Sequence, residues 1–164
     1  PDSLISVLIK PQYTHATVRQ RELRQANPLE ISAHKKPNIL IVEDNYINQQ
    51  IVIEMLKSLD CDYHLAGNGQ EALKMLSNHN GSFDLILMDC QMPLMNGYDA
   101  TRHIRATEHQ QFDKNIPIIA LTANAMKGDD IKCFEAGMND YLSKPFLSEQ
   151  LAEILHKWVF VDRR

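Results

Sequence analysis

The sequence predicts an α/β domain in which a parallel five-stranded sheet is covered by helices on both faces. Short apolar runs alternate with helical patterns five times. The strongest runs are apolar almost throughout, which is typical of strands buried on both faces of a parallel sheet. The composition, with 44% hydrophobic and 23% charged residues, is that of a globular protein.

Strands are predicted in order along the chain from short runs rich in β-branched residues. The three strongest candidates are Asn38–Val42, Phe83–Met88 and Ile116–Leu121. Pro117 stands at the entrance of the last run, where its missing N–H does least harm. Two weaker candidates are expected nearer the sheet edges, Asp62–Ala66 and Asp140–Ser143.

The first three helices are predicted between these runs. Asn45 is a suitable N-cap, and the apolar residues expected on one inward face after it are Ile47, Ile51, Val52, Met55, Leu56 and Leu59. Asn68 and Glu71 have capping-box spacing before a second helix. Tyr98 and Ile104 belong to a third helix.

Two further helices complete the pattern. A fourth is predicted over Asp129–Ala136 and ends at Gly137, a typical residue for the position after a helix. Ser148 is predicted to cap a fifth helix. Its expected inward residues are Leu151, Ile154, Leu155 and Trp158.

Polar side chains stand where the predicted strands end, namely Glu43, Asp44, Asp89, Thr122 and Lys144. The carboxyl ends of parallel strands lie at the same edge of a sheet, where ligands bind in open α/β folds. Three carboxylates close together repel one another unless a cation lies among them, and oxygen ligands suit Mg²⁺. A carboxylate can also accept a phosphoryl group, with an ammonium and a hydroxyl to hold the phosphoryl oxygens.

Four stretches of sequence resemble the receiver domain of two-component response regulators. They are VEDN (Val42–Asn45), MDCQMPLMNGYDAT (Met88–Thr101), ALTANAM (Ala120–Met126) and GMNDYLSKPF (Gly137–Phe146). They occur in the family's order and spacing, over about Asn38 to Trp158. The residues of these motifs most resemble those of receivers attached to hybrid sensor histidine kinases. The resemblance implies a flavodoxin-like, doubly wound fold.

The resemblance also implies a role for each residue at the sheet edge. Asp89 is expected to accept a phosphoryl group from a phosphohistidine, and Lys144 to pair with its carboxylate or phosphoryl group. Thr122 and Tyr141 are the expected switch residues. The Lys144–Pro145 bond is expected to be cis.

A Mg²⁺ ion is the cofactor that the resemblance implies. Its expected ligands are Asp44, Asp89 and the main-chain carbonyl of Gln91, while Glu43 orients a metal-bound water. Glu43 stands where many family members have Asp, and we expect only a modest change in metal geometry.

The first 36 residues differ in charge from the rest of the chain. They contain six Lys/Arg and three Asp/Glu, a net of +3, whereas residues 37–164 contain 11 and 18, a net of −7. We therefore place a boundary there, with the receiver at 37–160 and a tail at 161–164. Residues 1–36 are predicted to be a linker, or the tail of a preceding domain. A receiver-like tail is one interpretation, because Leu4–Ile9, Lys10-Pro11 and a helical pattern parallel the order seen around Lys144-Pro145.

The absence of an initiator Met predicts a fragment of a longer protein or a processed form. The net charge of −4 argues against general nucleic-acid binding, and no apolar run approaches the ~20 residues that span a bilayer. Three scattered cysteines predict neither a disulfide framework nor a zinc site, and fit a reducing, cytoplasmic environment. None of the seven histidines lies in a recognisable phosphodonor motif, and Cys90 is expected to be a small buried residue.

The expected function is a phosphoacceptor domain of a hybrid histidine kinase phosphorelay. Its expected partners are a phosphohistidine donor, supplied by a kinase domain, and a histidine phosphotransfer domain. One alternative is a degenerate receiver that acts only as an interaction module. Another is an aspartyl-phosphate phosphatase of the haloacid-dehalogenase kind, which would have Asp where this chain has Gln91. A third is a stand-alone response regulator whose DNA-binding output lies outside the chain.

Overall fold

The computed structural model describes residues 35–78, 82–106, 112–123 and 128–160. It confirms the predicted fold class, since five parallel strands form one sheet in the order β2-β1-β3-β4-β5. The elements in chain order are β1 Asn38–Val42, α1 Tyr46–Ser58, β2 Asp62–Ala66, α2 Gly69–Asn78, β3 Leu85–Asp89, α3 Gly97–Ala106, β4 Ile118–Thr122, α4 Asp129–Ala136, β5 Asp140–Ser143, α5 Ser148–Leu155 and a π-helical turn His156–Phe160.

The sheet separates two apolar layers. On one face, α2, α3 and α4 pack over alternate strand residues such as Leu40 and Met88. On the other face, α1 and α5 pack over the intervening residues, such as Ile41 and Leu87. Every residue of β1, β3 and β4 is buried, and β2 and β5 are the partly exposed edge strands, as predicted.

Two strand boundaries differ from the predictions. β3 and β4 each begin and end later than the apolar runs suggested, so Asp89 and Thr122 are the last residues of their strands rather than the residues after them. The reason is the ladder itself, because Asp89 is in register with Leu121, and the next N–H, of Cys90, donates to the Leu121 carbonyl at 3.1 Å. Both side chains therefore project from paired backbone, which holds them more firmly than a loop would.

The predicted helix ends are mostly correct. The Asn45 side chain accepts a hydrogen bond from the Asn48 N–H at 3.1 Å, which caps α1. Gly137 ends α4 with φ of 104°, a conformation that favours glycine. The prediction for Ser148 is wrong by one residue, since α5 begins at Ser148 and Leu147 takes the cap position.

At the start of the second helix, Asn68 and Glu71 form a modified version of the predicted capping box. The Glu71 N–H donates to Asn68 Oδ1 at 2.9 Å. The Glu71 carboxylate accepts from the Gly67 N–H at 2.8 Å, one residue before the usual capping-box partner.

The predicted inward face of α1 is partly wrong. Ile47 and Ile51 are 68% and 49% exposed, whereas Ile53, which the prediction omitted, is buried together with Val52 and Leu56. At about 100° per residue, Ile47 lies on the opposite side of the helix from Leu56. The apolar residues of α1 thus form two stripes, one packed on the sheet and one facing outward near the carboxyl ends of the strands.

The prediction for residues 1–36 falls almost wholly outside the described residues, as does that for residues 161–164. Within the described ranges, no helix combines the length and the apolar character needed to cross a membrane.

Candidate functional site

Five polar side chains predicted from the strand ends lie at the carboxyl edge of the sheet. Glu43 and Asp44 occupy the connection between β1 and α1, Asp89 and Thr122 end neighbouring strands, and Lys144 follows β5. β1 and β3 are adjacent, although β2 separates them in the chain. The strands that follow β1 are therefore added first on one side of it (β2) and then on the other (β3, β4 and β5). Open α/β sheets leave room for a ligand at the point where the strand order reverses in this way.

The three carboxylates come together as one cluster. Glu43, Asp44 and Asp89 each offer an oxygen, and these oxygens lie within 4.8 Å of one another. Glu43 and Asp89 are 1% and 5% exposed, while Asp44 is exposed to solvent. An all-oxygen set of this kind, with one open side, suits Mg²⁺, which keeps several of its waters when it binds to protein.

Lys144 lies between two of these carboxylates. Its Nζ is 2.8 Å from Glu43 Oε2 and 3.3 Å from Asp89 Oδ1. The Lys144–Pro145 peptide bond is cis, as expected. Burial alone would lower the pKa of Lys144, but the hydrogen bond to Glu43 and the charge of Asp89 raise it above its usual value. The ammonium is therefore charged at neutral pH.

The carboxylate of Glu43 accepts hydrogen bonds from three donors. Burial alone would raise its pKa, but the hydrogen bond and charge of Lys144, with donors from Asn45 and Asn48, hold its pKa below the usual value. The Asn45 N–H donates to Oε1 at 3.2 Å and the Asn48 side-chain amide at 3.4 Å. Glu43 is thus an ionised, fixed group.

Asp89 behaves differently from Glu43. Burial raises the pKa of Asp89 to about 6, because the opposing effects of Lys144 and of the hydrogen bond from Gln91 do not compensate for lost hydration. The Gln91 N–H donates to Asp89 Oδ1 at 3.2 Å. The carboxylate is mostly ionised at neutral pH but poorly hydrated, which favours a nucleophilic role.

The two expected switch residues lie on one face of the sheet. Ala120 is in register with Tyr141, and Thr122 is in register with Ser143. Tyr141 therefore lies two residues further from the carboxyl edge of the sheet than Thr122 does. Thr122 is 5% exposed. Tyr141 is half-buried and meets Phe134 of α4 edge-on, with ring centroids 6.5 Å apart.

The loop after Asp89 is held close to the main chain of Asp89 and Cys90. The Gly97 N–H donates to the Cys90 carbonyl at 3.1 Å. A Cβ at Gly97 would overlap the main-chain carbonyl oxygen of Asp89, so only glycine permits this approach. Gln91, whose carbonyl was the expected metal ligand, lies in this loop.

Cys90 is buried, as expected, and burial raises the pKa of its thiol to about 12. A thiol in that environment is unreactive. Among the described residues, the carboxylate cluster includes no histidine.

Sequence reasoning missed two residues that support the site. The Gln49 side chain donates to the main-chain carbonyl of Glu43 at 2.7 Å, and the Asn48 side chain donates to its carboxylate. Their position in the first turn of α1, directly after the acidic pair, was the available signal. Nothing in a single sequence, however, distinguishes these amides from ordinary surface residues.

Residues 39–156 match the family described as the response regulator receiver domain, and the chain belongs to that family. This assignment decides against the haloacid-dehalogenase alternative. Among curated proteins, the chain is similar to hybrid signal transduction histidine kinase L of Dictyostelium discoideum, with 40% identity over 73% of the chain. It is also similar to the sensor protein GacS of Pseudomonas syringae pv. syringae, with 38% identity over 76% of the chain. The matched regions are 7% and 14% of those relatives' lengths.

Two solved structures are also similar. One is the receiver domain of a sensor histidine kinase from Pseudomonas aeruginosa PAO1, with a magnesium ion coordinated in the active site cleft. It is 45% identical with a TM-score of 0.68, and the match covers 77% of this chain and 99% of that one. The other is the receiver domain of a Saccharomyces cerevisiae response regulator, crystallised with the histidine phosphotransfer signaling protein upstream of it. That match has 35% identity and a TM-score of 0.68, and covers 79% of this chain and 92% of that one.

Proposed function

We propose that this chain is a Mg²⁺-dependent phosphoacceptor that takes a phosphoryl group from a phosphohistidine onto Asp89, as part of a hybrid histidine kinase phosphorelay. The observation that carries the proposal is the position of Asp89, a buried carboxylate 3.3 Å from Lys144 Nζ in a cluster of three carboxylates. Family membership supports the same function.

In the proposed reaction, an Asp89 carboxylate oxygen attacks the phosphorus atom. The P–N bond to the imidazole breaks, its electron pair stays on the imidazole nitrogen, and a mixed anhydride forms on Asp89. Lys144 neutralises charge on the transferring oxygens, and the Thr122 hydroxyl donates a hydrogen bond to one of them. Glu43 keeps Lys144 charged and within reach of both groups.

The residues fit the magnesium ion that the reaction needs. Asp44, Asp89 and the Gln91 main-chain carbonyl would hold it, and Glu43 would orient one of its waters. When bound, Mg²⁺ supplies neutralisation of phosphoryl charge. The ion described in the cleft of the similar Pseudomonas aeruginosa receiver domain supports this assignment.

The proposed partners are a phosphohistidine donor in a kinase domain and a histidine phosphotransfer domain. The hybrid kinases and the yeast co-crystal structure support both. A protein that brings a histidine to Asp89 must contact the rim of the site. Tyr46, Ile47, Ile51 and Leu147 are large, exposed and near the carboxyl ends of β1 and β5, which suits them to that contact.

We also propose that residues 37–160 form the receiver and that it works in the cytoplasm. The family match to residues 39–156 supports the first statement. The second is supported by Cys61, Cys90 and Cys133, which are free thiols. Residues 1–36 are proposed to be a linker or the tail of a preceding domain, and residues 161–164 a tail.

The proposed output is a two-state switch. The phosphoryl group draws Thr122 inward, and Tyr141 then turns toward the space that this movement opens. Ala120, which is in register with Tyr141, has a small side chain and presents no bulky group to that movement. The surface formed by α4, β5 and α5 would differ between the two states, so a partner could distinguish them.

Phosphorylation by acetyl phosphate, read by intact-mass and peptide mass spectrometry, tests the function. With Mg²⁺ we expect one added phosphoryl group on Asp89, and none with EDTA or in Asp89→Asn. Asp99→Asn is the matched control, since it removes an exposed carboxylate whose ion-pair partner in the described part of the chain is Arg102. Full phosphorylation of Asp89→Asn would refute the assignment. A folded wild-type chain that is never phosphorylated would instead support the alternative of an interaction module.

A further inference from the structure

The main-chain carbonyl of Glu43 lies outside the sheet ladder and depends on a side chain for its partner. β1 ends at Val42, and the Glu43 N–H is the last to donate toward β2, reaching the Ala66 carbonyl at 3.0 Å. The Glu43 carbonyl is met instead by Gln49 Nε2 at 2.7 Å. Since Glu43 is 1% exposed, water is a poor substitute for that amide.

The side chain of the same residue is divided between two sets of donors. Its Oε1 accepts from the Asn45 N–H and from Asn48 Nδ2, both on the α1 side. Its Oε2 is left to Lys144 at 2.8 Å. The carboxylate is therefore oriented by α1, with one oxygen turned toward Lys144.

We propose that Gln49 and Asn48 are positioning residues of the acidic cluster. Gln49 fixes the backbone from which Glu43 and Asp44 project, and Asn48 fixes the rotation of the Glu43 carboxylate. Together they set the affinity of the cluster for Mg²⁺, although neither contributes a ligand oxygen. This inference rests on the proposed function, because it assumes that the cluster holds that ion.

The size of the effect follows from how supporting hydrogen bonds act in metal sites. Loss of a partner that orients a ligand weakens metal binding by about 10–100-fold in known sites. The Gln49 bond is short, so we expect Gln49→Met to raise the Mg²⁺ dissociation constant by about tenfold. The Asn48 bond is 3.4 Å long and shares its acceptor with Asn45, so we expect about threefold from Asn48→Leu.

The test is a titration of the ¹⁵N,¹³C-labelled chain with MgCl₂, followed by NMR at the amides of residues 89–91. Gln50→Met on the same helix is the matched control, and we expect its affinity to equal that of wild type. The Glu43 carbonyl ¹³C resonance should move in Gln49→Met but not in Gln50→Met. A purely structural role would lower the denaturation midpoint without changing the affinity of the folded protein.

The outcomes separate this inference from the proposed function. Equal dissociation constants in wild type, Gln49→Met and Asn48→Leu would overturn the positioning role and leave the metal site standing. A wild-type chain that shows no Mg²⁺-dependent shifts would refute the metal site, and the inference with it. If Gln49→Met does not fold, Asn48→Leu decides, because an unchanged constant there overturns the proposal.

Discussion

Lys144 Nζ lies 2.8 Å from Glu43 Oε2 and 3.3 Å from Asp89 Oδ1, so one ammonium group contacts two buried carboxylates. The shorter contact is to Glu43, which is ionised and accepts two further hydrogen bonds, from Asn45 and Asn48. Asp89 has the longer contact and the raised pKa. In the absence of a phosphoryl group, Lys144 therefore stabilises the charge of Glu43 more than that of Asp89. The carboxylate proposed as the nucleophile is the less stabilised of the two.

Replacement of Lys144 by methionine should destabilise the metal-free protein. Two buried carboxylates lose their shared cation, and breaking a pair of this kind costs about 3 kcal/mol. Urea denaturation at pH 7 measures the free energy of unfolding. Lys157→Met is the control, because its ion pair with Asp140 is longer and more exposed and should be worth about 0.5 kcal/mol. Equal losses in the two variants would mean that Lys144 does not stabilise the cluster.

Asp89→Asn should raise stability in a way that depends on pH. Folded Asp89 has a pKa of about 6, above the ordinary value of 3.8, so the folded state holds its proton to higher pH than the unfolded state does. Wild type therefore loses stability relative to Asp89→Asn as the pH rises through the range of about 4 to about 6, by about 3 kcal/mol in all. Denaturation of both proteins in EDTA between pH 4 and pH 8 measures the difference.

That difference should be smallest at pH 4, grow toward pH 6 and level off above it. Addition of Mg²⁺ at pH 7 should reduce it, because the ion stabilises wild type and binds the variant less well. A difference that grows as the pH falls from 8 to 4 would contradict the raised pKa.

Asp44→Asn should abolish Mg²⁺-dependent phosphorylation and leave the fold intact. Asp44 is the exposed member of the cluster, so its replacement removes a proposed metal ligand without opening a cavity. Reduced repulsion among the carboxylates should leave stability unchanged or slightly higher. Acetyl phosphate labelling and circular dichroism measure the two properties. With Glu149→Gln as a control for loss of an exposed charge, a wild-type labelling rate in Asp44→Asn would count against the site.

Gly97→Ala should impair both stability and phosphorylation. The added Cβ would overlap the Asp89 carbonyl oxygen, and the contact is with backbone that cannot rotate away. Forced displacement of packed groups costs about 1–3 kcal/mol. In Gly67→Ala the nearest atom is 3.2 Å away at the end of the flexible Glu71 side chain, so that control should be tolerated. If both variants behave like wild type, the loop after Asp89 is less constrained than its geometry indicates.

Beryllofluoride, a mimic of an aspartyl phosphate, should shift the NMR signals of Thr122 and Tyr141 as well as those of Asp89. The physical reason is the added acceptor atoms and charge at the sheet edge, which the Thr122 hydroxyl can reach. Amide spectra with and without the mimic measure the change. In Thr122→Ala the shifted signals should be restricted to the acidic pair and Asp89. Signals that move only at the acidic pair and Asp89 in wild type would refute the switch and leave the phosphoacceptor role intact. The loop from Thr122 to Lys127 is expected to move inward with the Thr122 hydroxyl, and its residues 124–127 lie outside the described part of the chain.

Much of the fold could be predicted because buried parallel strands leave a strong local signal. The first strand and both edge strands were predicted with their observed bounds, and Gly137 marked the end of α4. The ends of β3 and β4 could not be placed from apolar content, because the ladder extends to Asp89 and Thr122, which are polar. The exposed stripe of α1 was missed because Ile47 and Ile51 fit the same apolar pattern as residues that are buried.

The sequence by itself determined which chemical groups stand at the sheet edge, since their positions follow from the order of strands in a parallel α/β fold. Tertiary structure alone decided how those groups share their partners. Glu43 and Lys144 are 101 residues apart in the chain, and the preference of Lys144 for Glu43 over Asp89 depends on a difference of 0.5 Å between two contacts. Hydrogen-bond strength varies steeply over such distances, and the amides of Gln49 and Asn48 that orient Glu43 act only once α1 is in place. The composition of the sequence and the spacing of its residues do not specify distances of this size.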